Sequence, residues 1–164
     1  MNNEPQGLHR LVYASVAATE LKPDDLQSIL ESSDRNNARD EITGALVLAD
    51  GYFLQYLEGD RRVLSDLLSR LYQDTRHSQI NLVEFNRCSE RQFSKWTMRH
   101  LEFDPDTLFD VLGTKYFRPM EWSADRSYAF FLKFGQIMET GLGWKKPSRW
   151  FTGLSRTESD AGNQ

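Results

Sequence analysis

Two apolar runs, Ile42–Ala49 and Tyr52–Gly59, are joined by the dipeptide Asp50-Gly51. Asp-Gly supplies the positive φ angles of a two-residue turn whose twist matches paired strands, so this stretch predicts a β-hairpin. In the second run, alternation sends Phe53, Gln55 and Leu57 to one face and Tyr52, Leu54 and Tyr56 to the other. Gln55 therefore falls on a face that is otherwise apolar. A buried carboxamide left unpaired costs about 1–3 kcal/mol, so the pattern calls for a polar partner over that strand.

The same alternation in His9–Ser15 gives a first strand, with Tyr13 and Ser15 on one face. Lys22-Pro23-Asp24-Asp25 opens a helix, with proline near its start and acids in its first turn. Leu26, Ile29 and Leu30 make its apolar stripe, and it is expected to run from about residue 24 to the mid-thirties, giving out in Asp34-Arg35-Asn36-Asn37. Asp60 can cap a second helix striped by Val63, Leu64, Leu67, Leu68 and Leu71. A fourth strand is expected from Ile80 to about Cys88, a loop over Arg91–Lys95, and a fifth strand over Trp96–Phe103. The order β-α-β-β-α-β-β predicts an α+β, ferredoxin-like fold with two helices on one face of an antiparallel sheet.

Beyond it, Asp104-Pro105-Asp106 opens a short helix carrying Leu108, Val111 and Leu112, and Arg118-Pro119 ends it. Ser123 caps a longer helix to about Thr140, with Tyr128, Phe131, Leu132, Gly135 and Met138 on one face and Phe130, Phe134 and Ile137 on another. A helix greasy on both faces is expected to bridge the free face of the sheet and a partner. Residues 1–7 and 155–164 read as flexible termini.

Composition narrows the function classes. A net charge of −4 and a pI near 5.4 argue against binding to a phosphate backbone, so no nucleic-acid partner is expected. The single cysteine, Cys88, excludes an intrachain disulfide and a multi-cysteine metal site and suits a reducing cytoplasm. No run approaches the roughly 20 apolar residues of a membrane span, so no membrane partner is expected either. The 10 Phe, 6 Tyr and 4 Trp leave room for a flat, stacking ligand.

In the expected topology Tyr13 and Gln55 lie on paired strands, the first helix adds Asn36 and Asn37, and the second adds Arg70 and Asp74. A phenol, three amides and a guanidinium suit a heterocycle rich in carbonyls and ring nitrogens. Each also has an ordinary reading: a rim tyrosine, a helix terminus, or an i,i+4 ion pair between Arg70 and Asp74.

Tyr13-x-Ser15, Arg35-Asn36-Asn37 before Ile42-Thr43-Gly44, Phe53-Leu54-Gln55-x-Leu57-Glu58-Gly59 and Trp96-Thr97-Met98 together resemble the BLUF domains, blue-light sensors that use FAD. The resemblance covers residues 8–103. The helical extension over 104–154 resembles that of the short, PixD-like members. Glu41 departs from the family, which often has glycine there, and so does Thr97, where serine is common.

The resemblance implies a flavin, FAD or alternatively FMN, between the two helices. It would be bound by Tyr13, Ile29, Asn36, Asn37, Gln55, Arg70 and Asp74. It further implies that light draws an electron and a proton from Tyr13, that Gln55 rearranges, and that Trp96 and Met98 carry the change to the C-terminal helices. From there it would pass to a signalling partner, in a homo-oligomer. A small ferredoxin-like enzyme, of the acylphosphatase or flavin-reductase type, and a flavin-free oligomeric scaffold are the competing readings.

Overall fold

The computed structural model describes residues 7–102, 113 and 116–140. Five strands, β1 (Leu8–Ala17), β2 (Thr43–Ala49), β3 (Tyr52–Asp60), β4 (His77–Arg87) and β5 (Arg99–Glu102), form one sheet in the order β4-β1-β3-β2-β5. The first four are mutually antiparallel, and β5 joins the edge parallel to β2. This is the expected ferredoxin-like order with one added edge strand. Helices α1 (Pro23–Arg39) and α2 (Arg61–Gln73) cover one face, and α3 (Ala124–Thr140) covers the other.

The hairpin forms as its turn residues dictate, with Asp50 at φ 50° and Gly51 at φ 77°. Close approach of β2 to β3 needs Gly44, because a Cβ there would lie 2.0 Å from the Tyr56 carbonyl oxygen. Asp60 caps α2 by accepting from the Arg62 N–H at 2.9 Å.

Alternation on β3 sorts the two layers. Leu57 packs with Leu11, Tyr13, Ile42 and Leu64, and Phe53 with Leu26, Leu30 and Leu46, all on the side of α1 and α2. Leu54 and Tyr56 face Val12, Ala14, Ala45 and Val47, a bed on which Phe130, Phe131 and Phe134 of α3 are seated. The buried arc of α3 thus draws on both apolar faces read from the sequence, and one continuous stripe, Phe130-Phe131-Phe134-Gly135, does the docking. Arg10 fastens this layer, pairing with Glu84 at 2.7 Å while its guanidinium carbon lies 4.4 Å from the centre of the Tyr128 ring.

Three boundaries differ from expectation. Helix α1 does not give out at 34–37 but continues to Arg39. The unfavourable propensities of Asp34, Asn36 and Asn37 amount to about 0.7 kcal/mol each at most, and two of them are held in place at Thr97, whose hydroxyl donates to Asp34 and whose carbonyl accepts from Asn37. The helix stops instead in a Schellman arrangement, with the Ile42 N–H bonded to the Asn37 carbonyl at 2.8 Å and Glu41 at φ 54°. Strand β4 begins at His77, three residues before Ile80, because a register irregularity with Gln79 at φ 53° lets the polar segment pair with β1. Strand β5 begins at Arg99; ahead of it the Trp96 carbonyl accepts from the Gly44 N–H of β2 at 2.9 Å, and the Thr97 carbonyl is taken by Asn37 of α1 instead of by the ladder. The short helix read over 104–112 and the tail from 155 lie outside the described residues.

The positive φ at position 41 accounts for the glycine that the family pattern often has there, and nothing in the structure explains the glutamate of this chain. Glu41→Gly is expected to stabilise the fold by about 0.5–1 kcal/mol in urea denaturation; an equal or lower midpoint would contradict the strain.

Candidate functional site

Strands β1 and β3 are neighbours at the centre of the sheet, and their register sets Tyr13 directly opposite Gln55. Both side chains rise toward the α1/α2 layer and both are buried. The Tyr13 hydroxyl donates to Gln55 Oε1, which is the polar partner the sequence pattern required. Gln55 Nε2 has the Met98 sulfur at 3.6 Å, a weak acceptor that leaves the carboxamide with donor capacity to spare.

Above this pair lies a cavity of about 240 Å³ between α1 and α2. The structure brings Tyr13, Ile29, Asn36, Asn37, Gln55, Arg70 and Asp74 to its wall. It does not bring Trp96 there. That ring stacks on Phe93 at 5.1 Å and meets Phe134 of α3 edge-on at 6.1 Å, on the opposite face of the sheet. Met98 reaches the site through its sulfur, and it also packs against the apolar clusters of the α1/α2 layer.

Two roles shift from the simplest reading. Arg70 and Asp74 are not paired with each other: Arg70 lies 3.7 Å from Asp40, while Asp74 holds the Arg76 guanidinium and also accepts its N–H at 3.0 Å. The bond to Arg76 keeps the Asp74 carboxyl below the usual carboxylate range. Asn37 donates to the Thr97 carbonyl at 2.9 Å, so one of its N–H groups is committed to protein. The Asn36 carboxamide, by contrast, makes no hydrogen bond among the described residues.

Ser32, Ser33, Leu46, Phe53, Leu67, Leu71, Arg76 and His77 also line the cavity without having been singled out. His77 accepts from the Ser15 hydroxyl at 2.8 Å when its other ring nitrogen donates to the Leu71 carbonyl at 2.9 Å. Its ring lies 6.1 Å from that of Tyr13 and 6.2 Å from that of Phe53. Arg76-His77 directly after the Asp74 cap was the available signal, hidden by the irregular start of β4.

The family profile described as sensors of blue-light using FAD matches residues 8–99. The chain belongs to this family, the BLUF proteins. It is 36% identical over 92 residues to photoactivated adenylate cyclase subunit beta of Euglena gracilis, an alignment covering 56% of this chain and 11% of that relative. The chain spans about a tenth of the length of the curated relatives it matches. BlsA in its ground state superposes with a TM-score of 0.70 at 28% identity, covering 78% of this chain and 87% of that one. A Klebsiella pneumoniae protein with FMN and cyclic diGMP superposes at 0.55 and 29% identity over 58% of this chain and 26% of that one. A BLUF domain is a flavin-using sensor of blue light, and neither the small-enzyme nor the scaffold reading is supported by these matches.

The residues present fit a flavin. Unspent amide donors on Asn36 and Gln55 face a cavity that also carries Ile29, Leu46, Phe53, Leu67 and Leu71, so apolar walls for the faces of a flat heterocycle stand beside donors and acceptors for its polar edge. Among the described residues no cluster of three or more His, Cys, Asp or Glu side chains is placed to hold a metal ion, and no helix is long and apolar enough to cross a membrane.

Burial pushes the Tyr13 phenol well above its usual value near 10, and the Asp74 carboxylate adds to the shift. Tyr56 is raised as well, by burial first and then by Glu58. A raised phenol contributes stability that is complete below about pH 10 and is lost as pH climbs above it, because the unfolded chain releases its protons first. An alkaline titration at pH 11 is therefore expected to show less tyrosinate absorbance than six tyrosines give until the fold is lost. Smooth titration of all six in the folded protein would contradict the burial.

Proposed function

We propose that this BLUF domain holds the ring system of FAD in the α1/α2 cavity and signals by changing its contacts with another protein. The observation that carries the reading is the buried Tyr13–Gln55 hydrogen bond at the floor of that cavity. Asn36 and Gln55 would supply donors to the polar edge of the ring, Asn37 would assist from the same helix as Asn36, and Ile29 would pack against the ring. Arg70 and Arg76 are the cations of the cavity wall that would meet a phosphate-bearing tail, with Asp74 fixing Arg76 in place. At about 240 Å³ the space suits a tricyclic ring, and the rest of a dinucleotide would extend beyond it. FAD is the flavin in the family's description, and FMN, found in the Klebsiella pneumoniae relative, is the alternative occupant.

When bound, the flavin supplies blue-light absorption and a reversible redox centre. The chain supplies the rest. Tyr13 keeps its proton in the dark, because burial disfavours the phenolate. An oxidised phenol is a strong acid, and its hydrogen bond directs the proton to Gln55 Oε1. Gln55 carries both donor and acceptor on one side chain, so rotating or tautomerising it inverts the bonds it offers to its neighbours. Its contact with Met98 ties that change to the 96–98 segment, and the Trp96–Phe134 contact extends it to α3. We further propose a cytoplasmic homo-oligomer and a signalling partner that reads α3 and residues 104–154.

Tyr13→Phe and Gln55→Ala are each expected to abolish the light-induced red shift of the flavin spectrum while flavin still binds; a normal shift in either variant would sink the assignment. Asn36→Ala is expected to weaken flavin binding by roughly 5–30-fold in equilibrium titration, the loss of one to two hydrogen bonds. Met98→Ala should reduce the light-dependent change in α3, followed by hydrogen exchange, more than the spectral shift. Equal loss of both would count against a relay through that residue.

A further inference from the structure

Within three residues the 96–98 segment passes from one face of the sheet to the other. Trp96 belongs to the α3 side through Phe93 and Phe134, and Met98 belongs to the cavity side through Gln55. The Trp96 carbonyl is fixed to β2 by the Gly44 N–H at 2.9 Å. Thr97, between them, is gripped twice by α1. Its carbonyl accepts from Asn37 Nδ2 at 2.9 Å, and its hydroxyl donates to Asp34 Oδ1. Asp34 and Asn37 are one helical turn apart and so present their side chains on the same face.

The two grips are not equivalent. Asn37 holds the backbone and would hold any residue at position 97. The bond from Asp34 needs a hydroxyl on the segment and a carboxylate on the helix, and a hydrogen bond to an ionised acceptor is the stronger kind. Met98 can move its sulfur by side-chain torsion alone, but a backbone turn at Met98 would also turn the adjoining peptide and strain the two bonds that hold Thr97.

We propose that Asp34 and Thr97 form a latch that holds Met98 against Gln55, and that this latch sets how long the light-altered arrangement persists. Both are positioning residues; neither lies against the reacting phenol. The inference rests on the flavin-sensor reading of the cavity. The latch is made in the dark arrangement, so removing it takes away a force that draws Met98 back after illumination.

The test uses the full chain carrying its flavin, with Thr97→Val, Asp34→Ala and the conservative Thr97→Ser. Dark hydrogen exchange of peptides spanning residues 94–99 reports the latch itself, and decay of the light-induced absorbance change reports its consequence. Thr97→Val and Asp34→Ala are expected to quicken exchange there and to slow dark recovery, each by roughly tenfold, with the size of the shift unchanged. Thr97→Ser should restore both. Unaltered exchange in the valine variant would overturn the latch, and quickened exchange with normal recovery would reduce it to local structure and overturn its role. Absence of any shift in the unsubstituted protein would overturn the sensor reading and the latch's role with it, and the dark exchange separates that result from simple loss of the bond.

Discussion

The bond from the Tyr13 hydroxyl to Gln55 spans the two central strands of the sheet, and both of its partners are buried. Polar groups so placed cannot turn to water, so they must satisfy each other or a ligand. The antiparallel register makes the pair geometrically unavoidable, since position 13 of β1 faces position 55 of β3 directly. Everything that surrounds the pair either shields it or reports on it. Leu67 and Leu71 of α2 and Ile29 of α1 wall the space above it, and on the other face the alanine and valine bed of β1 and β2 seats α3.

Strand alternation gives this sheet two separate chemistries. Residues 53, 55 and 57 look toward a cavity and its amides, while 54 and 56 look toward a phenylalanine-rich helix. A direct route from one side to the other lies where the chain itself crosses over. Trp96–Met98 makes that crossing at the edge of the sheet, next to β2 and β5, with contacts to Gln55, α1 and α3. Buried Glu58 secures the loop that leads into it, accepting from the Phe93 N–H at 3.1 Å, from Thr43 at 3.0 Å and from the Gln92 N–H. A loop held this tightly transmits displacement instead of absorbing it.

Most of the architecture was legible in local signals. Asp50-Gly51, the Asp60 cap, the stripe on α2 and the anomalous Gln55 each predict what the fold contains. The errors fall where tertiary contacts outvote local preference. Asp34 and Asn37 look like a helix end, yet their bonds to Thr97, some 60 residues away, keep them helical. His77 and Arg76 escaped notice because the irregularity at Gln79 breaks the alternation that would have extended β4 to them. Arg70 and Asp74 have the spacing of an ion pair but find Asp40 and Arg76 instead, partners that only the folded chain brings near.

The central claim is that illumination rewires one glutamine side chain beside a phenol that stays protonated in the dark. A light-minus-dark infrared difference spectrum of protein grown with isotopically labelled glutamine tests it most directly. The account predicts carboxamide bands that move with the label and report altered hydrogen bonding at Gln55. A spectrum in which no band responds to the glutamine label would contradict it.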